Sequence, residues 1–508
     1  VLSDKVTLEF LKSHLWAAAD ILRGSLDASE YRQPIMTILF LKRLSDVFDE
    51  KTDVLKKEGK TADQLKKQPF RYHDVFFIPD SAKWNVLSDA SENIGETIDN
   101  MCREIEEANQ PRLDGVLTNT KYNDKRKYTD DRLRALVAHF NEPRLQNSDL
   151  EKEDIFGDAY EYLLEQFADA TKKKGGEFFT PREVVKLLVN IVKPKEEMKI
   201  SDPTCGSGGM LILSRRYVQK HNGNPNNLEL EGQESNYGNL AMCKMNLVLH
   251  GMVDFRIEYG DVLKEPKLIA KNGLKTYDRV LANFPFSMDW NNSNADKDPY
   301  GRFQYGIPPS KDKADFAFIL HMLASLNEKG QAAIICSQGV LFRGGAEQEI
   351  RKNMILGDEK ENLLGDVIEA VIALPPKLFF GTGIPACVLV LNKKKQSKRK
   401  DKILFIYGAK DYHEGKNRNT LRDEDITKIV SAFDEFEDID RYCHVADLDE
   451  IKENEFNLNV PRYVDISEPE EEIDIQGTIN ELNKVNQERK DLEIKVKQDL
   501  EELGFKVS

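Results

Sequence analysis

Four short stretches place polar side chains where apolar runs end. In DRVLANFPFSMDW (278–290), a run suited to a buried strand closes on Asn283, Phe284, Pro285 and Phe286. Two readings stand side by side: a strand end that needs a turn, or a slot that grips a flat heterocycle. Upstream, ISDPTCGSGGM (200–210) turns at Asp202 and Pro203, then runs through Ser207, Gly208 and Gly209. Glycines there let the backbone pass close to a ligand before a helix begins, and helix N-termini favour anionic groups. By itself such a loop is equally a tight crossover turn. Glu234 closes the next apolar run, LELEGQES, where Rossmann-like sheets put an acid on ribose hydroxyls. Asp261, in YGDVL, closes a third run and could accept from an adenine amino group. A lone acid is usually a surface residue. Polar groups at four successive strand ends, all on one rim, are a pattern that bland loops produce rarely.

The elements that must carry these residues follow from periodicity. Residues 1–150 read as a helical domain. Leu15, Ala19 and Leu22 share one face, and Ile35, Ile38, Leu39, Val47 and Phe48 continue the helical spacing with no strand-like alternation. From about residue 196, short apolar runs alternate with helical stretches: MKIS, NLELEG, FRIEYGD, YDRVLAN, GQAAIICS, GDVIEAVIALP and PACVLVLN. Alternating strands and helices imply an α/β fold with a parallel sheet, whose ligands bind outside the carboxyl ends of the strands. The stretch TPRE predicts a capping box, with Thr180 capping, Glu183 answering and Pro181 first in the helix. That does not explain the glycine pair and two aromatics of GGEFF before it. After SEPEEEIDI, which reads as a linker, Ile475, Ile479, Leu482, Leu492, Val496 and Leu503 form one narrow stripe. Such a stripe builds no core and calls for a partner helix; the alternative is a terminal hairpin on its own domain.

Composition narrows the class. At 508 residues the chain exceeds a single core, and a hydrophobic share of 40% supports globular domains. Six scattered cysteines without close pairs argue for a reduced, cytosolic chain with no disulfide framework and no metal site. No apolar run is long enough to span a membrane. The opening VLSDKVTLEF lacks a secretory pattern and a Met, so a processed or trimmed chain is expected. A net charge of −15 disfavours a protein that coats itself in nucleic acid unaided. Thirteen acids against six bases fall in 465–508, while KKK (172–174) and KKKQSKRKDK (393–402) are basic clusters that could touch phosphate.

Together these residues resemble the modification (M) subunits of type I restriction–modification systems, adenine-N6 DNA methyltransferases. GGEFFTPR, DPTCGSGGM and NFPF are similar to the family's Thr-Pro-Arg signature, cofactor loop and Asn-Pro-Pro-Phe/Tyr motif, in the family's order. LWAAADILRGSLDASEY and FNLNVPRYVD (456–465) resemble its helical N-terminal domain and the segment before its C-terminal helices. The resemblance implies a Rossmann-like S-adenosylmethionine-dependent domain over 151–465 and a C-terminal linker and helix over 466–508. It places Glu177, Phe178, Phe179, Thr180, Pro181 and Arg182 with Asp202, Ser207, Gly208, Gly209, Glu234 and Asp261 at the cofactor. Asn283, Phe284, Pro285 and Phe286 become the catalytic stretch acting on a flipped-out adenine. The partners implied are a specificity (S) subunit, two M per S, a motor–nuclease (R) subunit, and double-stranded DNA. One departure stands out: Phe284 occupies a position where the family has Pro. Its carbonyl is expected to survive, with some rigidity lost. The alternatives are a catalytically silent scaffold of the same complex, or a methyltransferase acting on protein glutamine or RNA adenine.

Overall fold

The computed structural model describes residues 5–22, 28–152, 155–171, 179–271, 273–311, 313–381, 383, 385–467 and 475–505. Glu177, Phe178 and the lysines 172–174 lie outside the described residues. Two compact units divide the chain, Val1–Asp465 and Ile466–Ser508.

The first unit opens with helices. On α1 (Leu8–Leu22), Leu15, Ala19 and Leu22 are buried, and on α2 (Ala28–Lys57), Ile35, Ile38, Leu39 and Phe48 are. They share a core with α3 (Ile94–Ala108), α4 (Asp130–Phe140) and α5 (Ile155–Thr171). The i, i+3, i+4 spacing of apolar residues turns one stripe of each helix inward, which is what drives the bundle together.

Nine strands form the main sheet: β1 (Lys199–Asp202), β2 (Glu229–Glu234), β3 (Arg256–Tyr259), β4 (Tyr277–Asn283), β5 (Leu326–Ser337), β6 (Ile368–Ala373), β7 (Ala386–Asn392), β8 (Lys402–Tyr407) and β9 (Cys443–Asp447). Their order is β9-β8-β6-β7-β5-β4-β1-β2-β3. The five strands β3, β2, β1, β4 and β5 run parallel, with Asp202 opposite Gly232, Glu234 opposite Tyr259 and Ser201 opposite Val280. The expectation of a parallel sheet fails at β7, which is antiparallel to β5 and β6, and at β9, antiparallel to β8. Only 374–385 joins β6 to β7, and among its described residues no helix forms to carry a parallel crossover.

The returning helices position the strand ends. The helices α6 (Arg182–Val192), α7 (Gly209–Lys220), α8 (Tyr237–Leu249), α9 (Asp315–Ala324) and α10 (Asp423–Glu435) all belong to this unit. Helix α8 is buried on most of its circumference and serves two cores. Met242, Met245 and Leu249 enter the helical core, while Leu240, Cys243 and Leu247 enter the core of the sheet. Gly157 in α5 is required by packing, because a Cβ there would lie 2.1 Å from His250 Nδ1. Ion pairs reinforce this seam. Asp158 of α5 takes Arg182 at 2.8 Å and Arg216 at 2.7 Å, and Arg418 joins Glu165 at 2.6 Å and also pairs with Glu183.

The basic cluster 393–402 proves partly structural. Lys395 is buried against Asp366, Arg399 is buried 3.1 Å from Glu369, and Lys393 donates to the Leu326 carbonyl at 2.7 Å. Among the described residues of the second unit stands one uninterrupted helix, α11 (Ile475–Glu502), and no hairpin. Leu482 (59%), Leu492 (62%), Ile479 and Val496 on it are exposed. Among the described residues no helix is long and apolar enough to cross a membrane, and no group of His, Cys, Asp or Glu could hold a metal ion.

Among the described residues, the two cores are built from residues of the first unit. Deleting residues 470–508 should therefore leave a folded chain whose melting midpoint moves by less than about 2 °C. A drop of more than about 5 °C in calorimetry would contradict this reading.

Candidate active site

The carboxyl ends of β3, β2, β1 and β4 lie side by side and bring Asp261, Glu234, Asp202 and Asn283 to one edge of the sheet. The edge spans the topological switch at β1, where one chain direction of winding gives way to the other. A cavity of 340 Å³ opens there, within the range of small-molecule sites. Glu234, Asn236, Asp261 and Val262 line it, together with Asn283, Phe284, Pro285 and Phe318. A smaller cavity is lined by Phe179, Thr180, Asp202, Ser207, Gly209 and Asn283. Asn283 and Thr204 belong to both linings.

The glycine loop is built for close approach. Gly206 (φ +51°) and Gly208 (φ +82°) adopt left-handed backbone that residues with a Cβ rarely take. A Cβ on Gly208 would also stand 3.0 Å from Cys243 Sγ, so this residue seats α7 on α8 and lines neither cavity. The loop is clamped by Glu234, whose carboxylate accepts from Gly206 N–H at 3.0 Å and Asn236 N–H at 2.7 Å. Ser207 receives Asn246 Nδ2 on its carbonyl at 2.8 Å. Asp261 caps its own turn, accepting from Leu263 N–H at 3.0 Å, and pairs with Lys264.

Two carboxyls at the edge are held unusually. Asp202 is buried, accepts from Thr204 N–H at 3.1 Å, and burial pushes its pKa up to about 8, with Glu234 adding to the rise. Burial also raises Glu234. Among the described residues no Lys or Arg pairs with either. A buried carboxyl without a cation is costly to ionise, and a positively charged ligand relieves that cost.

The Thr-Pro-Arg stretch departs from expectation. Pro181, not Thr180, is the N-cap of α6, and no side chain caps it. The predicted box fails because both of its members are taken. Thr180 Oγ1 accepts from Asn283 Nδ2 at 3.1 Å, and Glu183 pairs with Arg418. Arg182 lines neither cavity and is ion-paired with Asp158 and Glu161 of α5. Phe179 is buried, with its ring 6.0 Å from Phe380 at a T-shaped angle.

The Asn-Phe-Pro-Phe stretch answers the question of rigidity. The Phe284 ring is 2% exposed, stacked on Phe318 at 5.0 Å and 15°, and meets Phe286 edge-on at 5.9 Å. The Phe284 ring is thus anchored by packing. Phe286 is half-buried against the sheet core and is not among the lining residues of the large cavity. Phe318, Asn236 and Thr204 were not singled out by sequence. Thr204 stands inside a quoted motif, whereas Phe318 is hidden in a largely apolar helix.

Comparisons with known proteins fit this geometry. The N-6 DNA methylase family matches residues 151–472, and the HsdM N-terminal domain matches 11–140. The chain is 35% identical to the type I restriction enzyme MjaVIII methylase subunit of Methanocaldococcus jannaschii, over 99% of this chain and 86% of that protein. It is 28% identical to the MpnII methylase subunit of Mycoplasma pneumoniae, over 97% of this chain and 96% of that protein. A crystal structure of the type I restriction–modification methyltransferase subunit from Streptococcus thermophilus superposes with a TM-score of 0.78 at 30% identity, covering 91% of this chain and 100% of that one. Glycine loop, acid and Asn-Phe-Pro-Phe stretch thus sit on a shared fold along nearly the whole length, and the chain belongs to the N-6 DNA methylase family as a type I modification subunit.

Proposed function

We propose that the chain methylates the N6 amino group of a flipped-out DNA adenine when assembled with a specificity subunit, two copies per specificity subunit. The observation that carries this reading is the orientation of Asn283. Its Nδ2 donates to Thr180, so its Oδ1 is the end left to accept. The methyl donor is S-adenosylmethionine, which supplies an electrophilic methyl group on a sulfonium cation. The edge residues fit such a ligand: two buried carboxyls lacking a cation suit its positive charge, and the glycine loop with the N-terminus of α7 suits its methionyl carboxylate. We assign Asp202 and the loop at Ser207 to the methionyl end, with Phe179 and Thr180 closing it, and Glu234 and Asp261 to the nucleoside.

An exocyclic adenine nitrogen is a poor nucleophile because its lone pair is delocalised into the ring. Asn283 Oδ1 accepts one of its N–H bonds and the carbonyl of Phe284 the other. Both acceptors stabilise positive charge developing at nitrogen, and the Asn283 oxygen faces the proton that must leave. Pro285 biases residue 284 towards extended backbone. Phe286 offers the extruded base a stacking face, worth about 1–3 kcal/mol against an unstacking cost of a few kcal/mol.

The exposed stripe of α11 and a net charge of −15 support a reading in which DNA targeting belongs to the partner, with a motor–nuclease subunit joining the full complex. Six buried free cysteines suit the cytoplasm, where that complex would work.

Three outcomes check this. In the assembled complex, Asn283→Ala should cut adenine methylation by at least about a hundredfold with cofactor affinity intact. Normal methylation by that variant, or methylcytosine in the product, would overturn the mechanism. Deleting 470–508 should abolish co-purification with the specificity subunit, and site-specific methylation by the truncated chain alone would contradict the division of labour. At pH 7, Asp202 with a pKa of about 8 holds its proton, and a cation beside it lowers that pKa. Cofactor binding should therefore release close to one proton more than in Asp202→Asn, and affinity should rise with pH up to about 8. Calorimetry in buffers of different ionisation enthalpy reads the difference; equal release would remove Asp202 from the site.

A further inference from the structure

We propose that Asp315 is a positioning residue for methyl transfer, holding the loop after Asn283 so that Asn283 and the Phe284 carbonyl present their acceptors together. The inference rests on the role proposed above for Asn283. Asp315 opens α9 and is 0% exposed. Its Oδ1 accepts from Ser287 N–H at 2.8 Å. Its Oδ2 accepts from the Ser337 hydroxyl at 2.9 Å and from Arg343 Nη1 at 3.3 Å. Ser337 is the last residue of β5, whose Ile335 pairs with Asn283 across the sheet. One buried carboxylate thus ties the end of β5 to the loop that leaves β4.

Two further contacts come from the same helix start. Ala314 N–H donates to the Met288 carbonyl at 3.0 Å, and the Phe318 ring stacks on Phe284. The loop 284–288 is therefore stitched at three points to the first turn of α9. It needs stitching. Ser287 holds φ at +55°, a left-handed backbone that favours glycine, and a residue without glycine's freedom stays there only when its surroundings fix it. Arg343, itself paired with Glu347 at 3.5 Å, balances the charge that this clamp buries. Asp315 lines neither cavity, so its effect reaches the reaction through the loop.

The test uses the full chain assembled with its specificity subunit, reading kcat for adenine methylation beside cofactor affinity and KM for DNA. Asp315→Ala should lower kcat about ten- to a hundredfold, the scale of a small misplacement of reacting groups, with affinity and KM within about twofold of the parent. Asp315→Asn, which keeps an acceptor for Ser287, should recover most of that kcat. Ser287→Pro breaks the same clamp from the loop side, removing the N–H and drawing φ negative, and should reproduce the loss even where Asp315→Ala fails to fold. Parental kcat in Asp315→Ala or Ser287→Pro overturns the proposal, as does a loss in Asp315→Asn equal to that in Asp315→Ala. Asn283→Ala run alongside separates the two claims. If it is inactive while the clamp variants are normal, only the clamp is wrong; if it is active, the reading of Asn283 itself has failed.

Discussion

A side-chain amide presents an acceptor or a donor according to which end is engaged, and here the Nδ2 end of Asn283 lies against the Thr180 hydroxyl. Thr180 Oγ1 takes Asn283 Nδ2 at 3.1 Å, joining residues far apart in sequence, and Asn283 lines both cavities. Much of the fold serves that contact. The parallel run β3-β2-β1-β4 brings Asn283 beside the glycine loop, while α6 carries Thr180 to it. The helical half contributes through α5, whose acids hold Arg182, Arg216 and Arg418 and so fix the start of α6.

At the same site, the family's Pro position holds a Phe that is anchored by packing. Proline stiffens a backbone by restricting φ, and phenylalanine at 284 forfeits that restriction. The structure replaces a covalent restraint with a packed one: the ring is buried on Phe318 and edge-on to Phe286. A buried aromatic pair of this kind contributes about 0.5–1.5 kcal/mol beyond its area. That is comparable with the conformational entropy a proline would have removed, about 0.4–1 kcal/mol.

Much of this was legible in sequence where chemistry is local. Apolar runs marked β1 to β7, and YDRVLAN coincides with β4 from end to end. The glycine loop, Glu234 and Asn283 declared themselves by residue type at strand ends. What escaped depends on distant partners. The strands KILFIY and CHVAD were passed over, the first because it follows a dense basic run that reads as solvated surface. Buried Lys395 and Arg399 belie that reading, since each has an acid waiting on a neighbouring element. The Thr180 cap failed for a related reason: local capping geometry was available, but a tertiary donor and a tertiary cation claimed both side chains. Asp315 was invisible, because its meaning lies in Ser287, Ser337 and Arg343, which converge only in three dimensions.

The central claim is that Thr180 orients Asn283, and replacing the hydroxyl tests it most directly. Thr180→Val keeps the shape and removes the acceptor, so the complex should bind S-adenosylmethionine within a few-fold of normal yet methylate adenine at least about tenfold more slowly. Thr180→Ser, which retains the oxygen, should stay near the parental rate. Parental turnover in Thr180→Val would contradict the account, because Asn283 would then be oriented by something other than this bond.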